Sequence, residues 1–211
     1  MRPGPRLRRT VARAALGLGI AYLSCVALAW ARVAAASESA SFVPMAPWGA
    51  GYRSYSMLGA ALGRQYVRRR VRDALADAFE ALDEGWVVAE TGWRGGGPFW
   101  PHRTHRDGRA VDLLVPMRSG EGSPARLGSW PWQGFGYAHE LDAEGRLGGL
   151  RFDAARTARL IRALRPRLRR VILDPELVRQ VRDEDPRLPS SLFFGRRPWV
   201  RHDEHLHLDF R

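Results

Sequence analysis

The chain closes with Arg201-His202-Asp203-Glu204-His205-Leu206-His207-Leu208-Asp209-Phe210-Arg211, placing three of its six histidines within six positions. Side chains alternate faces along a β-strand, so a strand here turns His205, His207 and Asp209 to one side and Leu206, Leu208 and Phe210 to the other. The apolar side can join a hydrophobic core while the opposite side presents two imidazoles to a cleft. That alternation supports a sheet bearing a metal site.

The complement lies upstream, in His102-Arg103-Thr104-His105-Arg106-Asp107-Gly108-Arg109-Ala110-Val111-Asp112. His105 and Asp112 are seven positions apart. Gly108 permits a tight turn between them, and the run from Val111 to Val115 reads as a buried strand. Asp112 stands between the apolar Val111 and Leu113, where a carboxylate is costly unless it is charged and coordinated. His105, Asp112 and His207 together supply three ligands. Zinc held by three nitrogen and oxygen donors at about 2.0–2.2 Å keeps a fourth position open, which separates a catalytic site from a closed structural one.

These motifs resemble those of the LAS metallopeptidases, the group named for lysostaphin, D-Ala-D-Ala carboxypeptidase and sonic hedgehog. Their pattern, His-x6-Asp followed much later by His-x-His, is met by His105, Asp112, His205 and His207. Within that group the chain looks most like the penicillin-insensitive murein endopeptidases. Those carry additional histidines at the positions of His102 and His202, and a stretch similar to Arg94-Gly95-Gly96-Gly97-Pro98. Arg103 stands where the carboxypeptidase branch has a serine, and the catalytic region lacks the cysteines usual in the endopeptidases. The resemblance implies a zinc-dependent peptidase acting on D-alanine-containing stem peptides or cross-links of peptidoglycan. A D,D-carboxypeptidase of the same fold, and a zinc-bearing domain that only binds cell wall or a partner protein, are the alternatives it leaves.

For the general base the sequence offers three candidates, His205, Glu204 and His202. His205 shares a strand face with His207 and is therefore within reach of a water at the metal, and the resemblance gives this position to a catalytic histidine. Glu204 matches the Glu-x-x-His of the carboxypeptidases, but a regular strand turns it to the core side with Leu206. His202 would share that side, and its match to the endopeptidases makes it a supporting or substrate-contacting residue. His102 reads as a loop residue with a possible substrate-binding role. Arg94, in Thr91-Gly92-Trp93-Arg94, resembles an arginine that helps stabilise the scissile carbonyl, a task suited to a forked guanidinium. His139 matches no motif and reads as a loop histidine.

Composition is that of a globular protein with a leader: 211 residues, 45% hydrophobic, formal charge +12. Six arginines and no acid fall within residues 1–36, so half of that charge belongs to the N-terminus. Every basic residue outside the histidines is arginine, with no lysine anywhere, a bias that carries no nucleic-acid specificity. Trp130 and Trp132 with the positive charge would suit a nucleic-acid binder, but no motif of that class is present and no nucleic-acid partner is expected. Arg2, Arg6, Arg8, Arg9 and Arg13 precede an uncharged stretch from Ala14 to Ala31, followed by Ala34-Ala35-Ala36. Residues 1–36 therefore read as a signal peptide or signal anchor that exports the remainder, leaving it periplasmic or attached to the outer face of the cytoplasmic membrane. Membrane contact is expected through this segment alone. Cys25, the only cysteine, excludes a disulfide framework and a cysteine-zinc site.

Residues 37–55 read as a linker or strap, and 56–211 as a single α+β domain whose antiparallel sheet carries the site between flanking helices. Ser56 caps a predicted helix running to about Asp83, with Leu62, Tyr66, Val71, Leu75, Phe79 and Leu82 on its core face and the arginines at 68, 69, 70 and 72 solvated. A strand over 86–90, a helix capped by Asp153, a strand over 171–173 and a helix opened by Asp174-Pro175 follow. The segment from Met117 to Leu150 shows no sustained period and is expected to wall the cleft.

Overall fold

The computed structural model describes residues 5–37, 39–100, 102, 104–128, 139–196, 198 and 200–211. Arg103, Trp130 and Trp132 lie outside the described residues. In chain order the elements are α1 (Pro5–Ala34), β1 (Phe42–Pro44), β2 (Trp48–Gly49), β3 (Tyr52–Ser54), α2 (Met57–Leu62), β4 (Tyr66–Arg68), α3 (Arg69–Leu82), β5 (Trp86–Val88), β6 (Ala110–Leu114), β7 (Met117–Ser119), β8 (Pro124–Ala125), β9 (Arg146–Leu147), β10 (Leu150–Phe152), α4 (Ala154–Leu164), β11 (Leu168–Ile172), α5 (Pro175–Glu184) and β12 (His205–Phe210). The fold is α+β.

The main sheet has the order β11-β12-β6-β5-β3-β2 and is antiparallel except where β3 runs parallel to β5. β12 lies between β11 and β6, so every backbone group of the terminal strand can be paired on both sides. The register sets His207 opposite Asp112 and Leu208 opposite Val111. Directly opposed residues share a face, so one face gathers the polar residues of both strands and the other gathers Val111, Leu113, Leu206, Leu208 and Phe210. That second face is dry: Leu206 and Leu208 are fully buried, in one cluster with Val71, Leu75 and Phe79 of α3 and Leu160, Ile161 and Leu164 of α4.

Capping residues fix where the helices begin. The Ser56 hydroxyl accepts from Gly59 N, the Asp153 carboxylate from Arg156 N and the Asp174 carboxylate from Glu176 N, each relieving an orphan donor of the first turn. The long helix expected from Ser56 to Asp83 is instead two helices with a strand between them. Gly63 closes α2 in the left-handed region at φ 80°, a conformation that costs glycine little. The chain then extends, and Tyr66, Val67 and Arg68 pair antiparallel with Phe42, Val43 and Pro44. Tyr66 belongs to this strand, and Leu62 is exposed. The apparent helical spacing of Leu62 and Tyr66 loses to tertiary pairing with a segment distant in sequence.

Two further expectations change. Residues 37–55 do lie along the domain, yet they contribute β1, β2 and β3 to its sheets. The segment from Met117 to Leu150 holds much of a second, four-stranded antiparallel sheet, order β8-β7-β10-β9. Its strands are two or three residues long, too short for alternation to show in sequence. The arginines also do more than face solvent: Arg68 Nε donates to Asp107 O at 2.9 Å, and Arg69 Nη2 to Ser37 O at 2.7 Å.

The stretch Arg6–Ala34 of α1 is long and apolar enough to cross a membrane. Its last turns pack on the domain: Ala29 is buried, Arg32 Nε donates to Ala61 O at 2.9 Å, and Trp30 meets Trp48 edge-on at 5.3 Å between ring centroids.

Because Leu208 is fully buried at the centre of the apolar face, Leu208→Ala should lower the unfolding free energy by about 2–5 kcal/mol, read from chemical denaturation of the purified chain.

Candidate metal centre

Asp112 is the hub of the polar face. It has no solvent exposure, and each of its oxygens meets an imidazole. His207 Nδ1 lies 2.7 Å from Oδ1, and His105 Nε2 lies 3.2 Å from Oδ2. The strands deliver Asp112 and His207 as a cross-strand pair, whereas His105 comes from the loop before β6. Two glycines let that loop close: Gly108, at φ 71°, is where a Cβ would meet the Phe42 ring at 2.7 Å, and a Cβ on Gly92 would stand 2.7 Å from His105 O. His105 itself adopts φ 62°. A left-handed histidine is uncommon, and such conformations cluster at functional sites.

The outer nitrogens of the two rings are committed. His105 Nδ1 donates to Thr91 O at 2.8 Å, which leaves Nε2 without a proton in the neutral ring. That Nε2 is buried and has no hydrogen-bond partner among the described residues. On the other side His207 Nε2 donates to Asp209 Oδ1 at 3.2 Å, and Asp209 is held in turn by Arg170 Nε at 3.0 Å and Nη2 at 2.6 Å through its second oxygen. A backbone carbonyl and a carboxylate placed behind two imidazoles are what orient such rings toward a metal. The lone pair of His105 Nε2 then faces Asp112, whereas His207 Nδ1, 2.7 Å from an acceptor-only carboxylate, carries a proton that a divalent cation would displace. The donor set fits such an ion.

The tightest group of potential ligands is His102, His105 and Asp112, whose donor atoms all lie within 4.8 Å of one another. That group contains two of the three expected ligands, His105 and Asp112, with His102 as its third member; His207 is not one of the three and meets them through the other Asp112 oxygen. His102 Nε2 lies 2.5 Å from Glu90 Oε2, and its Nδ1 is 3.9 Å from Asp112 Oδ2.

Charge coupling polarises the cluster. Burial would raise the Asp112 carboxyl, yet the two imidazoles beside it, His105 and His207, hold it well below the usual carboxylate range. Burial pulls His207 down, but the Asp112 charge and the hydrogen bonds to Asp112 and Asp209 push it up to about 9. Burial lowers His205 to about 3, so its ring is neutral at physiological pH. His202 is lowered as well, chiefly by burial.

His202 departs from the parity expected of it, because β12 begins only at His205 and His202 precedes it. The His202 ring lies 4.4 Å from that of His205 and 6.2 Å from that of His207, so it belongs to the polar cluster and not to the core side. Its Nδ1 donates to Val200 O at 2.7 Å. The Glu204 carboxylate is used elsewhere: Oε2 accepts from His139 N at 2.6 Å, while Asp203 Oδ2 accepts from Leu141 N at 2.8 Å. These two acids pin the 139–141 segment beside the end of the sheet, and His139 is fastened further by Nε2 donating to Gly128 O at 2.8 Å. Arg94 is exposed on the glycine loop and makes no hydrogen bond or ion pair to the cluster among the described residues.

Sequence reasoning did not single out Asp209, Thr91, Glu90 or Arg64 as site residues. Asp209 had a signal, its shared parity with His205 and His207. Thr91 acts through a backbone carbonyl, and the pairing of Arg64 with Glu90 depends on tertiary proximity alone. A scan against protein-family models returns no match to this chain, and a search among curated proteins returns none either.

Burial raises the Glu204 carboxyl to about 7. A raised folded value means that the native state holds a proton the unfolded chain releases at lower pH. The stabilisation from this group is therefore complete below the unfolded value near 4.5 and is lost as pH rises through about 7. Urea denaturation across that window should show the decline in the parent chain and a flatter profile in Glu204→Gln. Equal slopes would assign the decline to other groups.

Proposed function

We propose that this chain is a zinc-dependent peptidase that hydrolyses D-alanine-containing amide bonds in peptidoglycan stem peptides or cross-links, in the manner of the murein endopeptidases its motifs resemble. The observation that carries the reading is the convergence of His105 Nε2 and His207 Nδ1 on the two oxygens of buried Asp112, each ring backed by an oxygen acceptor. His105, Asp112 and His207 would hold the ion. Zinc, when bound, supplies Lewis acidity that polarises a carbonyl and lowers the pKa of water toward ~7.

The chain's own groups then divide the remaining work. His205 lies on the same strand face as His207 and, although burial makes its ring a weak base in the metal-free chain, would accept the proton of the attacking water and pass it to the leaving amine. His202, its ring tilted 38° against that of His205 at 4.4 Å, restricts the ring's rotation. Glu204 is the less suitable base because its carboxylate is bonded to the His139 N–H. A carboxypeptidase of the same fold would use the same residues, differing in which end of the peptide the cleft accepts. The arginine-flanked apolar helix α1 is the export element in this reading, carrying the domain to the polymer outside the membrane.

Digestion of purified peptidoglycan, with separation of the products in the presence and absence of a chelator, should show new muropeptides only without chelator. Metal analysis of the dialysed chain should find about one zinc per molecule. Asp112→Ala should lose both metal and turnover, whereas His205→Ala should keep the metal and lose about 10²–10⁴-fold in kcat. A Glu204→Gln variant with that second pattern beside an active His205→Ala would transfer the base to Glu204.

Export is tested separately by reporters fused after Arg211. One that functions only outside the membrane should be active and one that functions only in the cytoplasm silent. The reverse would detach the enzyme from peptidoglycan.

A further inference from the structure

Behind His102 stands a buried ion pair that the proposed reaction does not use. Arg64 follows the Gly63 cap of α2, is 3% exposed, and directs two nitrogens of its guanidinium at Glu90 Oε1, Nε at 2.8 Å and Nη2 at 2.5 Å. The guanidinium carbon lies 4.2 Å from the centroid of Phe99 and 5.2 Å from that of Trp93, so aromatic rings cover it. Glu90, itself buried, has its other oxygen 2.5 Å from His102 Nε2. Two coplanar donors on one oxygen and a third donor on the other leave the carboxylate little freedom to rotate.

This geometry fixes a tautomer. An ionised carboxylate only accepts, so His102 Nε2 carries the proton and the neutral ring keeps its lone pair on Nδ1, the nitrogen on the Asp112 side. His105 and His207 follow the same plan, each with one nitrogen donating outward to an oxygen and the other turned to Asp112. A third imidazole prepared in this way is more than a structural strap between the α2–β4 connection and the end of β5 requires.

We infer that Arg64 and Glu90 are positioning residues of the metal centre, acting through His102, whose Nδ1 serves as an additional donor to the ion. The inference rests on the metal-site reading above. His102 is the least enclosed of the donors and the farthest from Asp112, so it is the ligand that substrate can displace while His105, Asp112 and His207 retain the ion.

The test uses the full-length chain and zinc alone, with affinity measured by chelator competition at neutral pH. Glu90→Gln and His102→Ala should each weaken zinc binding about 10–100-fold, and the double variant should bind no more weakly than His102→Ala, because Glu90 has no other route to the ion. Parent-like affinity in Glu90→Gln, or losses that add in the double variant, would overturn the positioning role. Asp112→Ala separates the two layers: if it abolishes binding while Glu90→Gln does not weaken it, the centre stands and this inference falls. Parent-like zinc binding by Asp112→Ala removes both. Since Glu90→Gln strands a buried guanidinium and can impair folding, the parent chain gives an independent readout. Two-bond proton–nitrogen correlations of the metal-free chain should show His102 protonated at Nε2, and protonation at Nδ1 instead would overturn the inference.

Discussion

Asp112 carries a negative charge at the middle of a sheet with no access to water. Desolvating a carboxylate costs several kcal/mol after relaxation, and the cost is recovered only where positive charge and well-directed donors are already in place. Much of the polar architecture answers that requirement. The β6–β12 register presents His207 to one oxygen, and the left-handed turn at His105 brings a second imidazole to the other. Removing the carboxylate would leave these rings facing one another, while removing a ring would leave the carboxylate exposed to an apolar interior. The cluster is therefore interdependent.

Around this hub the chain uses arginine as its organising cation. Arg170 orients Asp209 behind His207, Arg64 orients Glu90 behind His102, and Arg68 fastens the loop carbonyl of Asp107 near the Gly108 turn. A guanidinium can direct two parallel N–H groups at one acceptor and stack its face on an aromatic ring, which a lysine ammonium does not do with the same geometry. The absence of lysine from the sequence is thus compatible with a site whose supporting layer depends on forked donors.

The parts of the fold that were legible in sequence are those whose information is local. Alternation over His205–Phe210 gave both the strand and its two faces, and Ser56, Asp153 and Asp174 marked helix starts because a cap acts within its own first turn. The break at Gly63 was hidden because the alternative to helix, pairing of Tyr66–Arg68 with Phe42–Pro44, lies more than twenty residues away. The second sheet was hidden because strands such as Pro124–Ala125 and Arg146–Leu147 are two residues long, a single period of strand alternation and too little to show a pattern. In the site, the spaced histidines and Asp112 were readable by type. Parity misplaced His202 because it was extended past the first residue of the strand, and the Arg64–Glu90 pair has no sequence signature at all.

The contact between α1 and the domain determines more than packing. Arg32 bonds a carbonyl in the last turn of α2, and α2 passes through the single residue Gly63 to Arg64, which reaches toward the histidine cluster through Glu90. A domain joined to an apolar helix only by a flexible linker would swivel and sample a hemisphere of positions. Here the helix and the histidine cluster share a short, hydrogen-bonded lever, so the orientation of the cluster is set relative to α1. Wherever that helix is held, the domain's reach is that of a fixed arm with a defined height and aim.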